Sequence, residues 1–163
     1  MLFFTENYPA FTGKSNFLLG EKTSTYWVES NHPGYFLVKL KNAKQAILPT
    51  DLFGDNKASS NGFEELKKLD SNGDNVIDEK DKEFKNLYLW SDANGNSKND
   101  AKEVSSLKSK KVTSIDLKYN NDYRQDRMRA IMQGRTTFSY TNEKGVKATG
   151  EAFDIFFLGI KKK

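Results

Sequence analysis

The stretch Asp70-Ser71-Asn72-Gly73-Asp74-Asn75-Val76-Ile77-Asp78-Glu79-Lys80-Asp81 decides how this chain is read. Side-chain oxygens stand at its positions 1, 3, 5, 9 and 12, and Val76 supplies a main-chain carbonyl at position 7. That spacing suits a hard cation such as calcium, which takes roughly six to eight oxygen ligands from a loop wrapped around it. Ile77, at position 8, is placed to pin the loop to a core. Position 6 turns sharply and is usually Gly; Asn75 stands there, and Asn is the next most tolerant of a left-handed backbone. Asp81 at position 12 is shorter than the Glu that serves best there, so its ligation is less complete or passes through water.

The pattern recurs in Asp92-Ala93-Asn94-Gly95-Asn96-Ser97-Lys98-Asn99-Asp100-Ala101-Lys102-Glu103. Glu103 is the proper bidentate residue, while Ser97 at position 6 and Asn99 at position 8 depart from the pattern. The candidate metal ligands are Asp70, Asn72, Asp74, Val76, Asp78 and Asp81 in the first loop, and Asp92, Asn94, Asn96, Lys98, Asp100 and Glu103 in the second. Val76 and Lys98 would act through their carbonyls. The first loop carries more acids and is expected to hold calcium more tightly. One acidic, Asn/Gly-rich loop also reads as a solvated turn without metal, but two in tandem between apolar segments are much harder to obtain by chance. Calcium is therefore the expected cofactor.

Asp70 and Asp92 are 22 residues apart, so a twelve-residue loop leaves only about ten residues before the next one. Two complete helix–loop–helix units do not fit. The reading is an α+β fold in which tandem EF-hand-like loops share one short helix, from about Glu79 to Trp90, with Phe84, Leu87 and Tyr88 as its apolar stripe. A short helix is expected around Val104 to Leu107, and another from Asn61 to Leu69, with Asn61 as its cap. Tyr26 to Val28, Tyr35 to Leu40 and Val112 to Leu117 read as strands, with His32-Pro33-Gly34 as a turn. Arg135 to Thr141, a turn at Asn142 to Gly145, and Val146 onward read as a hairpin, and Ala152 to Leu158 as a buried run. Residues 119–133 give no clear periodicity. The division is one calcium-binding domain over 1–163: a β-rich part to 50, a loop and helix part over 51–110, and a β-rich part over 111–160.

The chain has 163 residues, 12 Phe, 7 Tyr and 2 Trp, enough for a packed core. The absence of Cys excludes disulfides and thiolate chemistry, and the single His32 excludes a histidine metal cluster. Net charge is +4. Acids gather between Asp51 and Glu103, and bases in Lys108, Lys110, Lys111, Arg124, Arg127, Arg129, Arg135 and Lys161 to Lys163. These bases read as a solvated face, and without interleaved aromatics nucleic acid is not an expected partner. No apolar run is long enough to span a membrane, and the start MLFFTENYPAFTG lacks the basic region of a standard signal peptide.

The segments DLFGDN at 51–56, LDSNGDNVID at 69–78, LYLWSDANGN at 87–96 and SIDLKYN at 114–120 resemble the calcium-dependent self-processing module of bacterial RTX proteins, which are large and secreted. The resemblance covers roughly residues 17–158. It implies a module that calcium folds, that cleaves an Asp-Pro bond at its N-terminal edge and that joins the new aspartyl carbonyl to a lysine amine. This sequence has no Asp-Pro, since its prolines follow Tyr8, His32 and Leu48. Lysines also stand where the family places an acidic loop before the LFGD segment, at Lys39, Lys41 and Lys44. The expectation is a secreted, calcium-stabilised module with a scaffold or protein-binding role, its partner unnamed. The alternatives are an active self-processing module acting outside this chain and a dockerin-like adhesion module.

Overall fold

Alternation of inward and outward side chains builds the longest elements. In Ala130–Thr141 the residues Ala130, Met132, Thr136 and Phe138 are buried while Gln133, Thr137 and Ser139 face solvent. Such a period-2 pattern is satisfied only by a strand with one face on a core. The chain turns back at Asn142, whose Oδ1 accepts the N–H groups of Lys144 and Val146. Lys147–Phe157 then pairs antiparallel with it over the full length. Gly134 sits at a bulge between Gln133 and Arg135 with φ 69°, and its bare Cα lets the Phe63 and Tyr119 rings close in.

The computed structural model describes residues 1–20, 23–54, 61–126 and 129–160. Its strands are β1 (Leu2–Phe3), β2 (Gly13–Ser15), β3 (Thr25–Trp27), β4 (Phe36–Lys39), β5 (Val76–Asp78), β6 (Leu87–Trp90), β7 (Val104–Ser106), β8 (Val112–Asp116), β9 (Asn120–Asp126), β10 (Ala130–Thr141) and β11 (Lys147–Phe157). The α-helix among the described residues is α1 (Gly62–Lys67). The largest sheet runs β1-β11-β10-β8-β5, with β9 also on β10; β2 pairs with β3, and β4-β6-β7 form a third sheet. All pairings are antiparallel. Strands from the first fifty residues thus pair with strands from both later parts.

The expected α+β arrangement with a helix shared between EF-hand-like loops is not what forms. Residues 79–83 are turns, Phe84–Asn86 is a single 3-10 turn, and Leu87–Trp90 is β6. The physical reason is β4. Phe36, Leu37, Val38 and Lys39 pair with Trp90, Leu89, Tyr88 and Leu87, which buries Leu87, Leu89 and Trp90 and satisfies their backbone at once. The helix expected over 104–107 is likewise replaced by β7, paired with β6. The helix expected at 61–69 does form as α1, and the Asn61 side chain caps it by accepting the Phe63 N–H. Expected strands at 26–28, 35–40 and 112–117 are β3, β4 and β8, although β3 and β4 pair with other partners. Arg127 and Lys161 to Lys163 of the expected basic face lie outside the described residues.

Two buried clusters result. One gathers Ile77, Leu87, Leu89, Leu107, Ile115 and Phe138. The other is aromatic, with Phe3, Phe11, Trp27, Phe36, Trp90 and Phe153. The first acidic loop borders the former and the second loop borders the latter.

Candidate metal centre

The two acidic loops fold alike, residue for residue. In each, the position-1 carboxylate accepts the position-6 N–H: Asn75 to Asp70 Oδ2 at 2.9 Å, and Ser97 to Asp92 Oδ2 at 2.8 Å. The position-3 side chain accepts the position-5 N–H, through Asn72 and Asn94. The position-5 side chain accepts the position-7 N–H, through Asp74 and Asn96. The position-12 carboxylate takes the N–H groups of positions 2 and 9: Ser71 and Asp78 on Asp81, Ala93 and Asp100 on Glu103. Position 6 is left-handed in both, at φ 63° for Asn75 and 60° for Ser97. Each sequence-predicted ligand therefore stands at the same place in its loop.

The surroundings differ. Loop one sits on β5, whose Ile77 is fully buried opposite Ile115 of β8. Asp70, Asn72, Asp74 and Asp78 remain at least partly exposed. The Lys80 ammonium lies 3.6 Å from Asp74 Oδ2 and 3.3 Å from Asp78 Oδ2, so a side-chain cation bridges positions 5 and 9. The Asn72 amide, then the Val76 N–H and Lys80, hold the Asp74 carboxyl below its usual range.

Loop two is built into the aromatic core. Asp92 is 0% exposed. Its Oδ2 accepts the indole N–H of Trp27 at 2.5 Å as well as the Ser97 N–H, and its backbone oxygen is 3.1 Å from His32 Nε2. Ser15 Oγ bonds Ser97 Oγ, Asn31 N–H donates to Ala93 O, and Ser30 Oγ donates to Asn94 O. Asn99, the odd residue at position 8, donates its amide to Ala43 O at 3.0 Å and Gln45 O at 2.7 Å. A polar clasp thus replaces the apolar pin. The Asn94 and Asn96 amides both reach Asp100 Oδ2, at 2.8 and 2.7 Å, and hold its carboxyl below the usual range.

Trp27, Ser15 and the buried His32, which had read as a turn residue, are the site residues that sequence reasoning missed. No local signal places them beside a loop some 60 residues away.

The donor set was tested for a hard cation on one observation. Asp92 Oδ1 is buried and meets no hydrogen-bond donor. Asp81 at 3%, Asp92 and Glu103 at 8% exposure are buried carboxylates that pair with no Lys or Arg among the described residues. Buried charge without countercharge is costly, and an oxygen-seeking divalent cation fits it. Among the described residues no three His, Cys, Asp or Glu side chains are gathered around one point as a metal site. The loops keep their shape through their own N–H groups, and much of each donor set is Asn and main-chain carbonyl.

A family model described as SPM domain matches residues 14–157. The chain is 34% identical over 109 residues, 63% of its length, to the iron-regulated protein FrpA of Neisseria meningitidis serogroup C. The match spans 10% of that relative.

Proposed function

The chain belongs to the SPM-domain family, and on that premise we propose that it is a calcium-folded module of an exported bacterial protein, with a binding or scaffolding role. The orphaned Oδ1 of Asp92 carries this reading, because it stands at position 1 of a loop whose hydrogen bonds match those of its twin. Asp92, Asn94, Asn96, the Lys98 carbonyl, Asp100 and Glu103 would hold one ion. Asp70, Asn72, Asp74, the Val76 carbonyl, Asp78 and Asp81 would hold the other, displacing Lys80 from its bridge. The ion supplies the countercharge that the chain itself leaves out. Extracellular modules of this ligand chemistry bind calcium at about 0.1–1 mM, which fits folding outside the cell.

Catalysis is not part of this reading, because the chain has no Asp-Pro pair to cleave. The dockerin-like alternative needs helices around both loops, and α1 precedes only the first. The test is isothermal titration with calcium alongside intact mass. Expected are saturable binding abolished by chelator and an unchanged mass. No heat of binding up to several millimolar would sink the calcium reading, and discrete fragments after calcium addition would sink the non-catalytic one.

A further inference from the structure

Three lysines gather beside the first loop where no carboxylate meets them. The 3-10 turn Phe84–Asn86, the turn between β7 and β8, and β8 itself enclose a surface groove of about 900 Å³. Leu87, Leu107 and Val112 form its floor with Phe84 beside them. Lys85, Lys108 and Lys111 line it from exposed positions and form no ion pair among the described residues. Lys39 and Lys80, by contrast, are each paired with an acid. Asp78 and Glu79 close the end toward the loop, and Asp78 already faces Lys80.

The backbone adds a second observation. Lys111 has φ 56°, a left-handed conformation that Gly or Asn adopts more cheaply. The turn around it is tight: Lys111 N–H donates to Lys108 O at 3.0 Å, and Val112 N–H to Leu107 O at 2.9 Å. A long cation held at a strained position points to a use for its side chain.

We propose that this groove docks an acidic peptide segment of a partner protein. Carboxylates of the segment meet Lys85, Lys108 and Lys111, and an apolar side chain rests on Leu107 and Val112. An extended segment sends successive side chains to opposite sides, so acidic and apolar residues reach rim and floor together. A small hydrated anion gains nothing from that floor. Lysines are mobile point charges that suit carboxylates on a flexible chain, whereas planar bidentate recognition of phosphate favours Arg. The site does not require either loop to hold an ion.

The test is fluorescence anisotropy with a fluorescein-labelled peptide, Glu-Asp-Leu-Glu-Phe-Glu-Asp, on the whole chain in millimolar calcium, with folding checked by circular dichroism. Binding is expected at low salt and should weaken as salt shortens the screening length. The combined variant Lys85→Gln, Lys108→Gln, Lys111→Gln is expected to lose about tenfold in affinity. The control variant Lys14→Gln, Lys44→Gln, Lys147→Gln, at exposed lysines elsewhere, should keep it. Lys111→Gly relaxes the turn, so it should fold at least as well and still bind several-fold more weakly. Absence of peptide binding, equal losses in both triple variants, or a sulfated oligosaccharide binding at these lysines while the peptide does not would each overturn the proposal.

Discussion

The Asp92 carboxylate serves loop and core together, because one oxygen takes both the Trp27 indole N–H and the Ser97 N–H. Removing it strands two donors in a buried place. Asp92→Ala should therefore cost about 3 kcal/mol even in chelator. Asp70→Ala should cost less, since Asp70 is only half-buried and accepts from Gly73 and Asn75 in a solvated loop. Urea unfolding of both variants decides the order, and it is the reverse of what the acid count of the two loops implies for calcium affinity. A second residue sets a pH dependence. Burial pushes the Asp154 carboxyl up from its ordinary 3.8, against the Gly62 N–H that donates to its Oδ2 at 2.9 Å. A folded value above the unfolded one means that the native state binds the extra proton. That contribution is fully present below 3.8 and is lost as pH rises through the folded value. Asp154→Asn keeps the acceptor for Gly62, so it should be more stable than the parent at neutral pH and flatter with pH. A variant that is less stable at pH 7 with an unaltered profile would count against this.

At the scale of elements, β5 joins the first loop to the fold. Val76, Ile77 and Asp78 are loop positions 7 to 9 and also the strand that pairs with Asp116, Ile115 and Ser114. Ile77→Ala should cost about 2–4 kcal/mol through the cavity it leaves. It should also weaken calcium binding at the first loop, because positions 7 and 9 lose their anchor. Titration of the variant with calcium checks the second effect, and an unchanged isotherm would separate loop from strand. The same element shows what a sequence reveals. Ile77 at position 8 was legible because a buried residue there is a local requirement of the loop. The 130–157 hairpin was largely legible because alternation and its turn are local too. β6 was not: Phe84, Leu87 and Tyr88 satisfy a helical stripe, and only β4, some fifty residues earlier, makes Leu87–Trp90 a strand. The Asn99 clasp onto Ala43 and Gln45 was hidden for the same reason, since its acceptors are main-chain atoms of a distant turn. The ligand positions were readable because their spacing lies within twelve residues; what holds each loop in place was not.

For the molecule as a whole, the question is what opposes folding without a cation. Asp81, Asp92 and Glu103 are buried at the loop closures, and Asp70, Asp74, Asp78 and Asp100 stand in the same loops. Bringing these charges together costs free energy that the N–H donors offset only in part, since Asp92 Oδ1 receives none. An ion that binds the folded chain alone stabilises it by mass action, by about 4 kcal/mol at a thousandfold excess over its dissociation constant. That is a large part of the roughly 5–15 kcal/mol that holds an ordinary domain together. Chelator should therefore lower the melting temperature by many degrees or leave the chain partly unfolded. The loss should show first in the near-ultraviolet signals of Trp27 and Trp90, because Trp27 is bonded to Asp92 and its ring lies 6.1 Å from that of Trp90. Calcium should restore both signals together with the melting temperature, since the second loop and the aromatic cluster share those contacts. If tryptophan signals and melting temperature are the same in chelator and in millimolar calcium, the loops are structural turns and the ion has no part in the fold.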